Sequence, residues 1–292
     1  MDTIKVGRTI AFLRSYYGMT QRELANRLGV TDKAVSRWER GQGIPDTSLL
    51  TKLSIILDTD IESILEGNLT QRELNWKGIL ELNYPDGIYA DAQMFSKCFV
   101  YFQIGFFLLA GINEICVRGI KRDIDFTKDR LGDGGTLGIK INYETVKSRR
   151  DELSQVSKTK IFHEYYQCGG VMVIDGLDFL YGKDVTKSFR RIIYDSKIPV
   201  RLVNFRRKPT SICFYPPMGN VEKRKKEDLN LQMKNYVLER GVITFPIKTN
   251  EDILDASMLI RILEKHQGER VGDLEEIAIR RTLIPGARID QL

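Results

Sequence analysis

The stretch Met19–Gly41, MTQRELANRLGVTDKAVSRWERG, decides the fold of the first part of the chain. It opens with a capping box: the hydroxyl of Thr20 accepts from the amide of residue 23, and Glu23 reaches back to the amide of residue 20. Gly29 follows, where a tight turn uses positive φ. Thr31 is a good N-cap for the next helix. The segment therefore predicts two short helices joined by a tight turn, the second of them Asp32–Arg40.

Apolar spacing extends this pattern in both directions. The first helix has apolar residues along one face and is ended by Gly18, and Gly41–Pro45 stops the third helix. Asp46 caps a fourth helix, and Ile61–Leu65 closes the domain. We therefore expect an all-α domain of five helices over residues 1–66. The inward-facing residues of the first and fourth helices are Val6, Ile10, Leu13, Tyr17, Leu49, Leu50, Leu53 and Ile56.

The third helix is predicted to present a polar face. Val35 and Trp38 stand three apart and point inward, and Ala25 is small where this helix crosses the second. A helix so presented fits the major groove of DNA, with its N-terminal residues nearest the base edges. The positions left on exposed or flanking faces are Asp32, Lys33, Ser36, Arg37 and Arg40.

These residues resemble the helix-turn-helix of the Cro/λ-repressor type, the XRE family. The resemblance implies that residues 31–40 form a recognition helix and that double-stranded DNA is the partner. It also implies that Gln21 lies at the DNA backbone, Arg40 at a phosphate, and Glu39 in a structural role. The full set of implied DNA-contacting residues is Gln21, Thr31, Lys33, Ala34, Ser36, Arg37 and Arg40.

Charge supports this interpretation but leaves alternatives open. Between residues 5 and 40 there are eight Lys or Arg against three acidic residues, and between 41 and 66 one against five. This distribution is typical of a domain with one basic and one acidic face. Lys33 and Arg37 also fit solvated surface charges. Asp32 either reads a cytosine amino group or caps the helix. For the whole motif, the alternative is a degenerate module that does not bind.

The remaining composition narrows the classes of protein. A length of 292 residues leaves room for two domains. The four cysteines, none in a CxxC pair, predict reduced thiols and a cytoplasmic protein. His163 and His266 stand alone, so no metal site is predicted. Phe99–Val117 is apolar but contains Gly105, Gly111 and polar residues, which favours a buried helix running into a strand over a membrane span.

After a short linker, residues 67–74, the pattern changes over 75–292 to apolar runs alternating with helical stretches. Such alternation predicts an α/β fold with a mainly parallel, Rossmann-like sheet. The candidate strands are Lys77–Leu82, Glu114–Arg118, Lys140–Tyr143, Gly170–Ile174, Val200–Asn204, Thr210–Phe214 and Gly241–Pro246. The candidate helices are Phe95–Ala110, Ile120–Arg130, Thr186–Asp195, Glu251–His266 and Leu274–Arg281.

This part resembles a sugar-1-phosphate nucleotidylyltransferase of the glucose-1-phosphate thymidylyltransferase type. The matching pieces lie in order along the chain. They are Lys77–Leu80 (KGIL), Leu109–Ile115 (LAGINEI), Leu131–Gly134 with Leu137–Ile141, Phe179–Gly182 (FLYG), and Ile262–Lys265 with Leu274–Ala278.

The segments that would carry the family's chemistry depart from it. The family opens with a glycine-rich phosphate loop that ends in Thr-Arg-Leu. Here Asn83 and Tyr84 take the first glycine positions, and Ile88 takes the place of the arginine. Pro85 removes an amide donor. Because backbone amides and the arginine would hold the nucleotide phosphates, this loop is not expected to do so.

The resemblance also locates the two magnesium-binding aspartates. Leu177 takes the first position and Pro246 the second, with Lys248 where the family has a glycine. Asp178, one position along, is expected to point elsewhere on a strand. Both ligands are therefore missing unless the register slips by one residue. The sequence predicts no catalytic residue, no metal and no cofactor.

Several basic segments remain. Lys147–Arg150, Arg206–Lys208 and Lys223–Lys226 are interpreted as solvated loops, with contacts to DNA phosphates or to a sugar phosphate as the alternative. Ser96-Lys97 retains the family's phosphate-side lysine.

Together these features predict a DNA-binding regulator whose second domain is a catalytically inactive, nucleotidylyltransferase-like module. That module is expected to form homodimers or larger homo-oligomers and to bind a sugar nucleotide or sugar phosphate as effector, with no membrane partner. Two alternatives stay open: an active nucleotidylyltransferase with an accessory DNA-binding domain, and a scaffold for dimerisation without a ligand.

Overall fold

The computed structural model describes residues 2–16, 19–57, 61–66, 76–149, 153, 156–182, 184–217, 233–268 and 270–280. The chain divides into two compact units, a first unit of Met1–Leu74 and a second unit of Asn75–Leu292. Several predictions fall outside the described residues: the inward position of Tyr17, the helix end at Gly18, the linker 67–74 and the basic segment Lys223–Lys226. Arg150 and Arg281, the last residues of two predicted segments, also fall outside them.

The first unit is all-α, as predicted. Thr20 makes both hydrogen bonds of the capping box with Glu23, and Gly29 has the expected positive φ of 78°. Asp46 accepts from the amide of Ser48 at the start of the fourth helix. In the described residues the helices are α1 (Thr3–Tyr16), α2 (Gln21–Leu28), α3 (Asp32–Glu39), α4 (Thr47–Ile56) and α5 (Ile61–Glu66).

Helix α1 lies unusually close to the end of α3 because Gly7 has no side chain. A Cβ atom at Gly7 would stand 2.1 Å from the carbonyl oxygen of Trp38 and 3.0 Å from that of Glu39. This approach lets α1 bury Val6, Ile10 and Leu13 in one core with Val35 and Trp38 of α3. The requirement at Gly7 was not anticipated from the sequence.

The second unit has an α/β fold, and the fold class predicted from the sequence is confirmed. Its described helices are α6 (Phe99–Ala110), α7 (Lys121–Leu131), α8 (Lys160–Cys168), α9 (Asp184–Asp195), α10 (Asn250–Gln267) and α11 (Leu274–Arg280). Its described strands are β1 (Lys77–Glu81), β2 (Gln93–Met94), β3 (Lys97–Cys98), β4 (Glu114–Ile120), β5 (Lys140–Val146), β6 (Val171–Asp175), β7 (Asp178–Tyr181), β8 (Val200–Val203), β9 (Pro209–Tyr215), β10 (Lys234–Val237) and β11 (Ile243–Pro246).

Within the described residues, seven strands form the central sheet in the order β10-β8-β9-β6-β1-β4-β5. Strands β6, β1, β4 and β5 are parallel to one another, whereas β9 runs antiparallel to both β6 and β8. Strand β11 pairs antiparallel with β7 outside this sheet. The carboxyl ends of β1 and β6 therefore meet at one edge, where ligands bind in open α/β sheets.

The two faces of the sheet are covered differently. On one face, residues such as Leu80 and Ile115 join the large core that includes α6 and α9. On the other face, Ile79 and Cys116 pack with Phe162 of α8 in a smaller cluster. Because side chains alternate along a strand, neighbouring residues of β1 serve separate cores.

The elements differ from prediction in a few places. Helix α8 and strand β10 were not anticipated, and β10 is an exposed edge strand without the apolar alternation that marks buried strands. Helix α6 begins at Phe99 instead of Phe95, because residues 93–98 form the hairpin β2–β3. As for the apolar stretch Phe99–Val117, no helix in the described part of the chain is both long and apolar enough to cross a bilayer.

Candidate functional site

Helix α3 presents the polar surface predicted for a recognition helix. Val35 and Trp38 are buried, which fixes the rotation of the helix against its core. The hydroxyl of Thr31 accepts from the amide of Ala34 at 3.2 Å and so defines the start of the helix. The implied DNA-contacting residues Thr31, Lys33, Arg37 and Arg40 are exposed, and Gln21, Ala34 and Ser36 are partly exposed.

Glu39 ties three helices of the first unit together. Its carboxylate accepts from the guanidinium of Arg14 in α1 and from the side-chain amide of Gln21 at 2.7 Å. Arg14 also donates to the carbonyl of Met19. These are the contacts of a structural residue, as expected. They also orient Gln21, whose amide nitrogen is engaged by Glu39. Its placement at a DNA backbone stays a prediction.

Within the described residues, the two arginines of this surface each contact one backbone carbonyl. Arg40 donates to the carbonyl of Ser36 at 3.2 Å, and Arg37 lies 3.5 Å from the carbonyl of Gln42. Each guanidinium has five N–H donors, so most of its hydrogen-bonding capacity is left for a ligand. Asp32 accepts from the amide of Lys33 at 2.8 Å, which favours the capping role over base readout for this carboxylate.

A cleft of about 670 Å³ opens in the second unit at the carboxyl ends of β1 and β6. Its walls come from the segment after β1, the β6–β7 turn, the β8–β9 connection and β11. The polar residues that line it include Asn83, Asp175, Asp178, Lys208, Ser211 and Lys248.

The segment after β1 packs into the core of the second unit. Tyr84 and Ile88 are buried in the large core. The hydroxyl of Tyr84 donates to the side-chain oxygen of Gln103 at 2.6 Å, and burial raises the pKa of Tyr84 well above its usual value. An apolar, close-packed segment has few free amides to offer a phosphate.

Arg149 fastens this segment and is not a solvated loop residue, contrary to the interpretation of its basic segment. It donates to the carbonyls of Tyr84 at 3.2 Å and Ile88 at 3.0 Å, and it pairs with Asp123 at 2.5 Å. Asp123 in turn accepts from the amide of Ala90 at 2.9 Å. A local sequence pattern cannot show this role, because the partners lie 26 to 65 residues away.

The structure corrects the sequence analysis at two aspartates of the cleft. Asp178 lines the cleft, so the expectation that it points elsewhere is wrong. It follows the turn at Gly176, and it accepts from the amide of Ser211 at 2.5 Å. Asp175 accepts from Asn83 at 3.0 Å and was missed, although a carboxylate ending the buried run VMVID is a usable signal. Burial raises the pKa of both carboxyls.

The two positions that the resemblance implies for metal-binding aspartates hold side chains that cannot ligate a metal, Leu177 and Pro246. Leu177 is buried in the large core, and Pro246 pairs with Asp178 across β11 and β7. No group of three or more His, Cys, Asp or Glu side chains with metal-binding geometry occurs in the described part of the chain.

Lys97, the phosphate-side lysine that the resemblance implies, does not line the cleft. Its amino group lies 3.4 Å from the carboxylate of Glu264 and 3.1 Å from the carbonyl of Val271. By contrast, Arg206, Arg207 and Lys208 are exposed as expected, and Lys208 lines the cleft.

A row of charged residues crosses four neighbouring strands at equal register: Asp175, Glu81, Arg118 and Glu144. Glu81 is 0% exposed and Arg118 is 3% exposed, and their side chains lie 2.5 Å apart. Arg118 also approaches the half-exposed Glu144 at 3.1 Å. Burial raises the pKa of Glu81 to about 8, against the opposing effect of the Arg118 guanidinium.

Comparison with known proteins agrees with this division of the chain. Residues 17–64 match the family model described as Helix-turn-helix. The chain is 33% identical over 69 residues to the SPbeta prophage-derived HTH-type transcriptional regulator YonR of Bacillus subtilis, covering 24% of this chain and 64% of that one. The first unit is thus a helix-turn-helix of the XRE type, and the match spans under two thirds of that relative.

The second unit resembles glucose-1-phosphate thymidylyltransferase in sequence. A protein of that description from Neisseria meningitidis is 23% identical over 247 residues, covering 68% of this chain and 84% of its own length. A Bacillus anthracis structure of the same description, in complex with sucrose, is 12% identical with a TM-score of 0.49, covering 64% of this chain and 95% of that one.

Proposed function

We propose that this protein is a sequence-specific transcriptional regulator that places α3 in the major groove of DNA. The observation that carries this proposal is the orientation of α3: Val35 and Trp38 are buried, and the opposite surface exposes Lys33, Arg37 and Arg40. The family match and the regulator relatives support it.

The exposed residues suit two kinds of DNA contact. Arginine recognises guanine through two parallel hydrogen bonds in the major groove, and Arg37 has the free donors for this role. Lys33 and Arg40 suit phosphate contacts, which position the protein and add salt dependence. Thr31 and Ser36 supply hydroxyls near the N-terminal half of the helix, where base edges are nearest.

The test is selection from random duplex DNA with the full-length protein, beside a Ser36→Ala/Arg37→Ala variant. We expect an enriched inverted repeat with half-sites one helical turn apart, lost in the variant. Failure of the full-length protein to enrich any sequence, with and without sugar nucleotides present, would contradict the proposal.

Arg37→Ala alone should weaken specific binding by about 1–3 kcal/mol if Arg37 reads a base. Arg27→Ala is the matched control, because Arg27 is also exposed but lies on α2 outside the implied contact set. Binding isotherms at fixed salt measure both. Equal losses for the two variants would remove Arg37 from the base-reading set.

For the second unit we propose a catalytically inactive module that senses an anionic ligand. Tyr84, Ile88 and Leu177 are buried apolar residues at positions where the resemblance implies phosphate-binding and metal-binding groups. The cleft still offers Lys208 and Lys248 to an anion. A sugar nucleotide or sugar phosphate fits this combination of size and charge.

A thermal-shift panel of sugar nucleotides and sugar phosphates tests the sensor. A ligand at about 100 times its dissociation constant stabilises the folded state by about 2.7 kcal/mol. Lys208→Ala/Lys248→Ala should abolish the shift. A shift that persists in this variant would move the ligand site elsewhere, and the absence of any shift would favour a pure dimerisation scaffold.

The second candidate is an active nucleotidylyltransferase with an accessory DNA-binding domain. The observation that favours it is the presence of both Asp175 and Asp178 in the cleft, since carboxylates are the ligands that Mg²⁺ prefers. Magnesium-dependent release of pyrophosphate from a nucleoside triphosphate and a sugar phosphate would support it. Loss of that activity in Asp178→Asn would then assign it to this cleft.

A further inference from the structure

Helix α10 has apolar side chains on two opposite faces. Ala256, Ile260 and Leu263 are buried against the second unit. On the other side, Leu254 and Met258 are each 63% exposed and Ile262 is 53% exposed. We call these three residues the outer stripe. At 100° per residue, their spacing of four makes one continuous line directed away from the buried face.

The outer stripe is unusual for a surface helix. A helix packed on a domain needs only one apolar face, and its opposite face is normally polar. Single exposed apolar residues need no explanation, but a contiguous apolar patch marks an interaction site. Phe95 adds to it: this residue is 41% exposed, and its amide donates to the hydroxyl of Ser257 in α10 at 2.9 Å.

Charged residues lie beside the outer stripe, acidic ones toward the N-terminus of α10 and basic ones toward its C-terminus. Glu251 and Asp255 are exposed in the N-terminal half of α10, and Arg261 and Lys265 are exposed in the C-terminal half. Among the described residues, none of these four side chains forms an ion pair. The helix dipole favours this order of charges but does not explain the apolar residues between them.

We propose that the outer stripe joins two copies of this chain, with their α10 helices antiparallel about a two-fold axis at Met258. This arrangement places Leu254 opposite the partner's Ile262 and Met258 opposite its own copy. It also places Glu251 opposite the partner's Lys265, and Asp255 opposite the partner's Arg261. A parallel arrangement would bring like charges together.

The surface is therefore self-complementary in its order of apolar and charged residues, as a two-fold interface requires. The outer stripe spans nine residues, a length of about 12 Å. A stripe of this length covers much less than the area of about 800 Å² that each partner buries in a standard interface. We therefore expect a dimer with a dissociation constant on the order of micromolar. The existence of this interface does not depend on the proposed function. Its biological use does, since a two-fold dimer matches an inverted repeat in DNA.

Sedimentation equilibrium of the full-length protein without DNA tests the interface directly. The wild type should be a dimer above micromolar concentration. Leu254→Asp/Met258→Asp should be a monomer with an unchanged circular dichroism spectrum. Ile55→Asp is the matched control, because Ile55 is an exposed apolar residue on a helix of the first unit; it should remain dimeric. A monomeric wild type, or a stripe variant that stays dimeric, would overturn the inference.

Charge reversal tests the antiparallel register without altering the apolar residues. Glu251→Lys should raise the dimer dissociation constant roughly threefold to tenfold, because each copy then faces a like charge at Lys265. Glu251→Lys/Lys265→Glu should restore the wild-type value, because the pairing is reversed on both copies. A double variant as weak as the single one would exclude this register.

The interface and the regulator proposal can fail separately. A dimer that depends on the outer stripe but enriches no DNA sequence would keep the interface and refute the regulator. A protein that enriches an inverted repeat, but stays dimeric when the outer stripe is substituted, would keep the regulator and refute the interface.

Discussion

Helix α3 of the first unit and the segment after β1 of the second unit differ in what their side chains do. On α3, Lys33, Arg37 and Arg40 remain exposed, while Val35 and Trp38 are buried in the core. After β1, Tyr84 and Ile88 turn into the core, and Arg149 is used to fasten the backbone. One segment leaves its charged groups exposed, and the other uses its side chains internally.

This difference shows that a fold and its chemistry depend on separate sets of residues. The parallel strands of the second unit persist because their apolar side chains still pair and pack. The chemistry of such a fold rests on a few polar groups at the strand ends, and these can change while the core is kept. In the row of charged residues, Arg118 pairs with Glu81 and Glu144, so these three charges serve the fold instead.

The largest effect is expected at Arg118, whose contacts we consider structural. Above pH 8, where Glu81 is ionised, Arg118→Ala should lower the unfolding free energy of the second unit by about 3–5 kcal/mol, because it leaves a buried charge without its partner. Denaturant unfolding of a Trp38→Phe background reports on this unit, since Trp38 and Trp76 are the two tryptophans of the chain. Glu81→Gln/Arg118→Met is the control and should recover most of the loss. A loss below 1 kcal/mol in the single variant would show that the row of charged residues contributes little to stability.

In the first unit, Gly7→Ala should cost about 3 kcal/mol, the upper end for overpacking. The added methyl group would meet the backbone carbonyl of Trp38, which cannot move without shifting α3. Fluorescence of Trp38 in a Trp76→Phe background follows this unit. Arg8→Ala, an exposed position on the same helix, should change stability by less than about 0.5 kcal/mol. Equal stability of Gly7→Ala and wild type would contradict the close approach of α1.

The raised pKa of Glu81, about 8, predicts a dependence on pH in the second unit alone. As pH rises from about 5 to 8, the unfolded chain ionises Glu81 while the folded state holds its proton, so stability falls. Relative to Glu81→Gln, the unfolding free energy of the wild type should fall by about 2 kcal/mol over this range. This is less than the full pKa shift implies, because the site relaxes. Trp38 fluorescence should show no such difference between the two proteins. If Trp76 fluorescence gave parallel pH profiles of stability for wild type and Glu81→Gln, the pH dependence could not come from Glu81.

The smallest expected effect is none at all. Leu177→Asp should not create magnesium-dependent release of pyrophosphate, because the segment after β1 still offers Tyr84 and Pro85 where phosphate-binding amides are needed. A pyrophosphate assay with Mg²⁺, a nucleoside triphosphate and a sugar phosphate measures this. Turnover in the single variant would show that the chemistry of the cleft was closer to intact than its packing indicates.

Much of the first unit was predictable because its signals are local. Capping residues, a glycine turn and apolar spacing act within a few residues, and the structure shows the corresponding hydrogen bonds at Thr20, Thr31 and Asp46. Gly7 was not predictable, because its constraint comes from Trp38, which is distant in sequence. In the second unit, the strands of the parallel core were predicted, whereas α8 and the edge strand β10 were not.

The cleft was less predictable than the fold that contains it. The buried run ending at Asp175 could have identified one carboxylate, but the contact of Asp178 with Ser211 depends on how β9 lies beside the β6–β7 turn. Likewise, nothing near Arg149 in the sequence indicates that it fastens the segment after β1. These contacts join residues 26 to 92 positions apart.

By itself, the sequence determined the helix-turn-helix and the alternation of strands and helices. These features follow from short-range propensity and periodicity, which act before distant parts of the chain meet. Only the tertiary structure decided which charges are buried, which carboxylates line the cleft and which apolar residues of α10 remain exposed. Burial and pairing are properties of the packed chain, because they depend on neighbours that only folding supplies.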